Sequence, residues 1–371
     1  MPFQPIRRLA AAAALLLAAS LPAHALTFDL KFLDGTSSAV AAGFQTAADA
    51  WSQLLSDPVT VSLTLGTSAS LGTGILASTY AQFASFNYND VYTALGLDRT
   101  SATDTTAYAN LPVGNVPLLI NYTADNPNGI GSATPYIDTN DSANNTTIRM
   151  TSANARALGL TANPGQNSSC IGTCDGYIVF SSTFSYDYDP SDGITSGAFD
   201  FIGLAEHEIG HALGFISGVD ILDTNSPSNL GYYNADQFTN LSPLDLFRCS
   251  TTTQADQALY PGLRDFTANT SAKFFSIDGC RTADLGGSFS TGVTHGDGRQ
   301  ASHWKDGQSF GLMDPTASPG EKLAISPLDL QAFDAIGWNL TSVPEPASLL
   351  LLGSGLVGLV GVRRHGRFRR G

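Results

Sequence analysis

Three side chains in one five-residue run, His207, Glu208 and His211, have the types and spacing to do chemistry. On a helix, residues four apart share a face with Cβ atoms about 5–6 Å apart, so both imidazoles can hold one metal ion. Glu208 is offset by one residue and can reach a water beside that ion. Two neutral imidazoles and a carboxylate base form the H-E-x-x-H arrangement that activates water. The plain alternative is a core helix that carries two His and a Glu by chance. Residues further along the chain decide between the two.

The elements around this run must position it. Leu204, Ala205, Ile209, Ala212 and Leu213 form an apolar stripe at helical spacing. Gly214 is placed to end the helix. Gly210 inside it costs about 1 kcal/mol against Ala, so it is expected to admit a close backbone neighbour. Upstream, the pattern predicts a helix over 39–56, a strand over 59–65, and a loop or strand edge over 66–80. A short helix follows over 88–97, extended and loop structure over 100–145, a strand at 147–150 and a helix over 153–160. Tyr177–Ser181 reads as a strand about 20 residues before the central helix. A helix over 326–338 closes the globular part. The whole reads as α+β, with no internal repeat.

Composition limits the partners. The chain has 371 residues, 43% of them apolar, enough for a core, and a formal net charge of −14. Residues 26–342 hold 11 basic and 31 acidic side chains, so nucleic acid is excluded as the natural partner. The N-terminus reads as a secretory signal over 1–25. Arg7 and Arg8 precede an apolar Leu9–Leu21 and an Ala23-His24-Ala25 cleavage site, so the mature chain is expected to begin at Leu26. Export makes four cysteines an expected pair of disulfides, Cys170–Cys174 and Cys249–Cys280 by proximity. Asp187, Asp189 and Asp192 could supply carboxylates to calcium, as could Asp138, Asn140 and Asp141. The full calcium-loop pattern is absent because Ala198 stands where a Glu is needed, so a solvated turn is the reading adopted for both.

A catalytic zinc needs a third protein ligand. The chain has four Glu, and the two downstream of His211 are Glu321 in a Pro-Gly loop and Glu345 in the tail. A third His six residues past His211 is missing, because Ser217 stands there. His24 and His365 lie in the end segments. The third ligand is therefore His303 or His295, unless an Asp such as Asp220 serves.

The run from His207 to Phe215, the pair His303-Trp304, and Met313 in a Gly-Leu-Met-Asp-Pro turn stand in this order. The arrangement resembles the leishmanolysin-like branch of the metzincin zinc metallopeptidases. There an insertion separates the helical motif from the third His, and a Met-turn lies under the metal. The resemblance implies His303 as third ligand, Met313 as an apolar floor, and a metzincin-like fold. That fold has a twisted mixed sheet, an active-site helix and a loop-rich C-terminal subdomain. It divides a peptidase domain over 26–342 near residue 217, with the C-terminal subdomain over 218–342. The likeness covers roughly 140 residues of catalytic core.

The tail carries its own signal over 343–371. Val343-Pro344-Glu345-Pro346 is followed by an apolar run over 347–362 and five Arg between 363 and 370. The run is shorter than the ~20 residues of a standard spanning helix, but it could cross a bilayer by thinning or snorkelling, basic end inward. The order resembles the PEP-CTERM sorting signal of Gram-negative bacteria. That implies recognition by an exosortase and delivery to the cell surface, outer membrane or extracellular matrix. A plain membrane anchor is the alternative.

Together these readings give an exported zinc metalloendopeptidase acting on protein or peptide substrates. Its base would be Glu208, and its substrate would lie along an edge strand, with Tyr177–Ser181 as the candidate. The alternative is a non-catalytic surface or matrix protein with the same sorting tail.

Overall fold

The computed structural model describes residues 26–166, 168–225 and 232–341. The expected signal segment, the apolar run over 347–362 and the Arg cluster lie outside these residues. Among the described residues, no helix is long and apolar enough to cross a membrane.

The site rests on a four-stranded mixed sheet. Its strands are, in spatial order, β1 (Thr27–Phe32), β2 (Thr60–Ser68), β8 (Gly176–Ser181) and β3 (Ala77–Ala81). The first three run parallel, and β3 runs antiparallel to β8 along one edge. β2 alternates hydroxyl-bearing Thr60, Ser62 and Thr64 with Val61, Leu63 and Leu65, which are buried in the core. The smaller pairs are β4 (Phe83–Asn87) with β7 (Thr147–Thr151), and β5 (Leu118–Ile120) with β6 (Tyr136–Asp138).

Two helices, α1 (Ser38–Leu54) and α6 (Phe201–Ala212), pack against the main sheet and against each other. α1 is capped by Ser37 and buries Phe44, Ala47, Ala48 and Trp51. α2 (Tyr88–Leu97) lies where the sequence places it. α3 (Ala102–Ala109) falls in the stretch read as extended and loop. Its signal is a capping box, Ser101 with Asp104, which outweighs a Thr-rich, weakly apolar helix body. α4 (Ala143–Thr146) and α5 (Ser152–Ala157) flank β7. α6 (Phe201–Ala212) carries the His-Glu-Ile-Gly-His run and packs against α1 and β3. Trp51 Nε1–H donates to the Glu206 carbonyl at 2.9 Å, which fixes α1 against α6.

The second half holds α7 (Val219–Leu222), α8 (Thr251–Asp256) and α9 (Pro327–Ala335). The chain is a mixed α/β structure. The expected boundary near residue 217 is not a clean one. β5 from the first half pairs with the strand Arg264–Phe266 from the second, and one apolar cluster runs through both. Cys170–Cys174 and Cys249–Cys280 are bonded as expected from proximity.

Candidate metal centre

α6 starts at Asp200, whose carboxylate accepts the Gly203 N–H at 3.0 Å. It ends in a Schellman turn. Phe215 N–H donates to Gly210 O, Gly214 N–H donates to His211 O, and Gly214 sits at φ +117°. That turn has a consequence for the site. It brings the Phe215 carbonyl to His211 Nδ1 at 2.7 Å.

Each of the three imidazoles is held in this manner. His207 Nδ1 meets Leu312 O at 2.8 Å, and His303 Nδ1 meets Gln300 O at 3.3 Å. A carbonyl oxygen only accepts, so each Nδ1 carries the proton. In the neutral rings each Nε2 then presents a bare lone pair. His211 Nε2 lies 3.1 Å from both His207 Nε2 and His303 Nε2. With each Nδ1 proton directed to a carbonyl, the three Nε2 atoms converge, which is the donor set for a cation. Tetrahedral zinc with bonds of about 2.0–2.1 Å separates its ligand atoms by about 3.3–3.4 Å, close to the two distances from His211, and the ligand atoms of all three rings lie within 4.8 Å of one another. Burial, with the neighbouring imidazole adding to it, pushes His211 down to about 3, and the same causes hold His303 well below its ordinary value. Both rings are therefore neutral, the state that binds a metal.

The alternatives for third ligand do not converge. His295 stacks on Tyr122 with ring centres 3.8 Å apart. Asp220 accepts the Ala301 N–H at 2.5 Å, the Ser302 N–H at 3.2 Å and the Ser302 hydroxyl. It supports the loop that carries His303 instead of joining the cluster. Among the described residues, His207, His211 and His303 are the one group of three or more such side chains that could hold a metal. Asp187 is occupied by its own turn, accepting from Asp189 N–H at 2.9 Å and Thr195 N–H at 2.7 Å. Asp138 likewise accepts from Asn140 N–H and the Asn144 amide.

Glu208 is buried at 6% exposure, and burial raises its carboxyl above the ordinary range. Thr79 Oγ1–H reaches Glu208 Oε2 at 2.6 Å and also lies 2.9 Å from the Glu208 carbonyl. Thr79 sits on β3, so the edge strand fixes the Glu208 carboxylate. Sequence reading missed Thr79 because its stretch is small and Gly-rich.

A cleft of about 680 Å³ opens between β3 and the histidines, lined by Gly74–Ala81, Glu208 and the three imidazoles. The edge strand is β3, not Tyr177–Ser181. β8 lies between β2 and β3, and its apolar run fits an interior strand. Leu76 O accepts Ser181 N–H, and Gln82 N–H donates to Asp175 O. By alternation, Ala77, Thr79 and Ala81 turn their N–H and C=O groups outward to the open side.

Met313 is fully buried. A Cβ on Gly210 would lie 2.7 Å from its sulfur and 3.5 Å from Phe333 Cζ. Gly210 thus admits a side chain, where a backbone was expected.

Residues 342–364 match the family model described as the PEP-CTERM protein-sorting motif. The chain carries a PEP-CTERM sorting signal. It is thereby an exported protein of Gram-negative bacteria, sorted to the cell envelope, and its signal implies recognition by an exosortase-type processing enzyme. The PEP-CTERM match covers the tail alone. No curated protein and no solved structure matches the chain.

Proposed function

We propose that this PEP-CTERM protein is a zinc-dependent endopeptidase acting at the cell surface, with a metzincin-like catalytic core. The observation that carries the reading is the convergence of three Nε2 lone pairs beside a buried carboxylate in an open cleft. His207, His211 and His303 would hold the ion. When bound, zinc supplies Lewis acidity, polarising a carbonyl and making water a nucleophile near neutral pH.

The protein's own groups do the rest. The outward N–H and C=O groups of Ala77, Thr79 and Ala81 pair with an extended substrate backbone as an added strand. Thr79 holds Glu208 in one rotamer by hydrogen bonding its carboxylate. Glu208 accepts a proton from the water that attacks the scissile carbonyl carbon. It passes that proton to the leaving nitrogen as the C–N bond breaks. Met313, buried against Gly210, supports the helix from the core side.

The test is Glu208→Gln. The variant should bind zinc as the parent does and lose peptide hydrolysis. A Glu208→Gln protein that still digests casein at the parent rate refutes the mechanism. A parent that binds zinc and cleaves nothing supports the non-catalytic surface protein instead.

A further inference from the structure

Asp329 is fully buried at the third position of α9. Its ordinary task there is a capping box. Ser326 N–H donates to Oδ2 at 2.7 Å, and Asp329 N–H donates to the Ser326 hydroxyl at 3.1 Å. Its carboxylate does more than that. Oδ2 also accepts the Leu312 N–H at 2.7 Å. Oδ1 accepts the Trp304 indole N–H at 2.7 Å and the Met313 N–H at 3.3 Å.

These partners lead to two different imidazoles. The Leu312 carbonyl takes the proton of His207 Nδ1. Trp304 follows His303 in the chain, and its backbone N–H donates to Met313 O at 2.9 Å. A residue on α9 therefore ties the loop bearing His303 to the turn that orients His207. Gly311 makes the approach possible, since a Cβ there would stand 2.3 Å from both Asp329 Oδ2 and Ser326 Oγ.

We propose that Asp329 is a positioning residue for the metal centre, fixing His303 relative to His207 through Trp304 and the Leu312–Met313 turn. The proposal rests on the metal-binding reading of the three histidines. Groups bonded directly to the ligands, as Leu312 O is to His207, typically change metal affinity about 10–100-fold when removed, and Asp329 acts one bond behind them. A helix cap alone has no such effect, and this separates the two roles.

The experiment measures zinc affinity of the full chain by chelator competition, together with the visible spectrum of its Co²⁺ form. Asp329→Asn keeps the volume but must turn an amide N–H₂ toward donors that need an acceptor. It should weaken zinc about 10-fold, the low end of the range for direct partners, and alter the cobalt bands. Ser326→Ala removes the cap hydroxyl and leaves the Asp329 carboxylate, so its affinity and spectrum should match the parent. Trp304→Phe removes the indole N–H and keeps an aromatic ring, and it should shift affinity in the direction of Asp329→Asn. Parent affinity with an unchanged spectrum in Asp329→Asn overturns the proposal, as does equal weakening in Ser326→Ala. If Asp329→Asn does not fold, parent affinity in Trp304→Phe overturns it. A parent chain that binds no zinc instead overturns the metal reading beneath it.

Discussion

The sulfur of Met313 occupies the space where a side chain at Gly210 would begin, 2.7 Å from the position of its Cβ. An alanine there gains about 1 kcal/mol in helix propensity. It must also push a fully buried methionine aside, and overpacking of a filled core costs about 1–3 kcal/mol. Gly210→Ala is therefore expected to lower stability on balance. Pairing it with Met313→Ala should recover the clash component. Thermal unfolding of the single and double variants checks this, and simple additivity would contradict it.

Thr79 joins the edge strand to Glu208, the base of the proposed mechanism. Thr79→Val keeps the shape and removes the hydroxyl that meets Glu208 at 2.6 Å. A hydrogen bond to a charged group is worth about 1.5–3 kcal/mol, so kcat should fall about 10–100-fold. Zinc content should not change. Steady-state kinetics beside metal analysis measures both, and an unchanged kcat would exclude a positioning role for Thr79.

Asp220 holds the Ala301–Ser302 turn by three donors and stands outside the imidazole cluster. Asp220→Asn should lower stability by roughly 1–3 kcal/mol and still bind one zinc per chain at saturating metal. Loss of the metal at saturation would mean that Asp220 is itself a ligand.

A group of carboxylates gathers where the chain's last described residues return to the domain. Asp98 accepts the Asn339 amide at 2.8 Å. Burial, then nearby Asp57, Asp104 and Asp334, push Asp98 up to about 7. Asp334 is pushed up to about 6, mainly by burial. A raised carboxyl binds more protons in the folded chain than in the unfolded chain between about pH 4 and 7. Its stabilisation is then complete below about pH 4 and is lost as pH rises through 7. Asp98→Asn should remove part of that dependence, so the parent loses more stability than the variant between pH 5 and pH 8. Parallel melting curves across that range would contradict the assignment.

The site was legible in the sequence where its parts are local or scarce. His207, Glu208 and His211 announce themselves by helical spacing. His303 was reachable because the chain has only six His, two of them in the end segments. The supporting groups were not legible. Leu312 O lies 105 residues from His207, and Thr79 lies 129 from Glu208, in segments without any periodic signal. The sequence placed a helix start at Ser326, but nothing local tells that Asp329 also reaches Trp304. The edge strand was misplaced because Tyr177–Ser181 is the more obvious β pattern. An apolar, β-branched run is what a strand flanked on both sides requires, and the small, polar residues of β3 suit an edge.

The central claim is one cation held by three imidazoles that meet from two distant parts of the chain. Metal analysis of the purified parent beside His303→Ala tests it most directly. The account predicts about one zinc per parent chain, and loss of most of it in the variant. A parent without zinc, or a variant that keeps it at the parent affinity, would contradict the account.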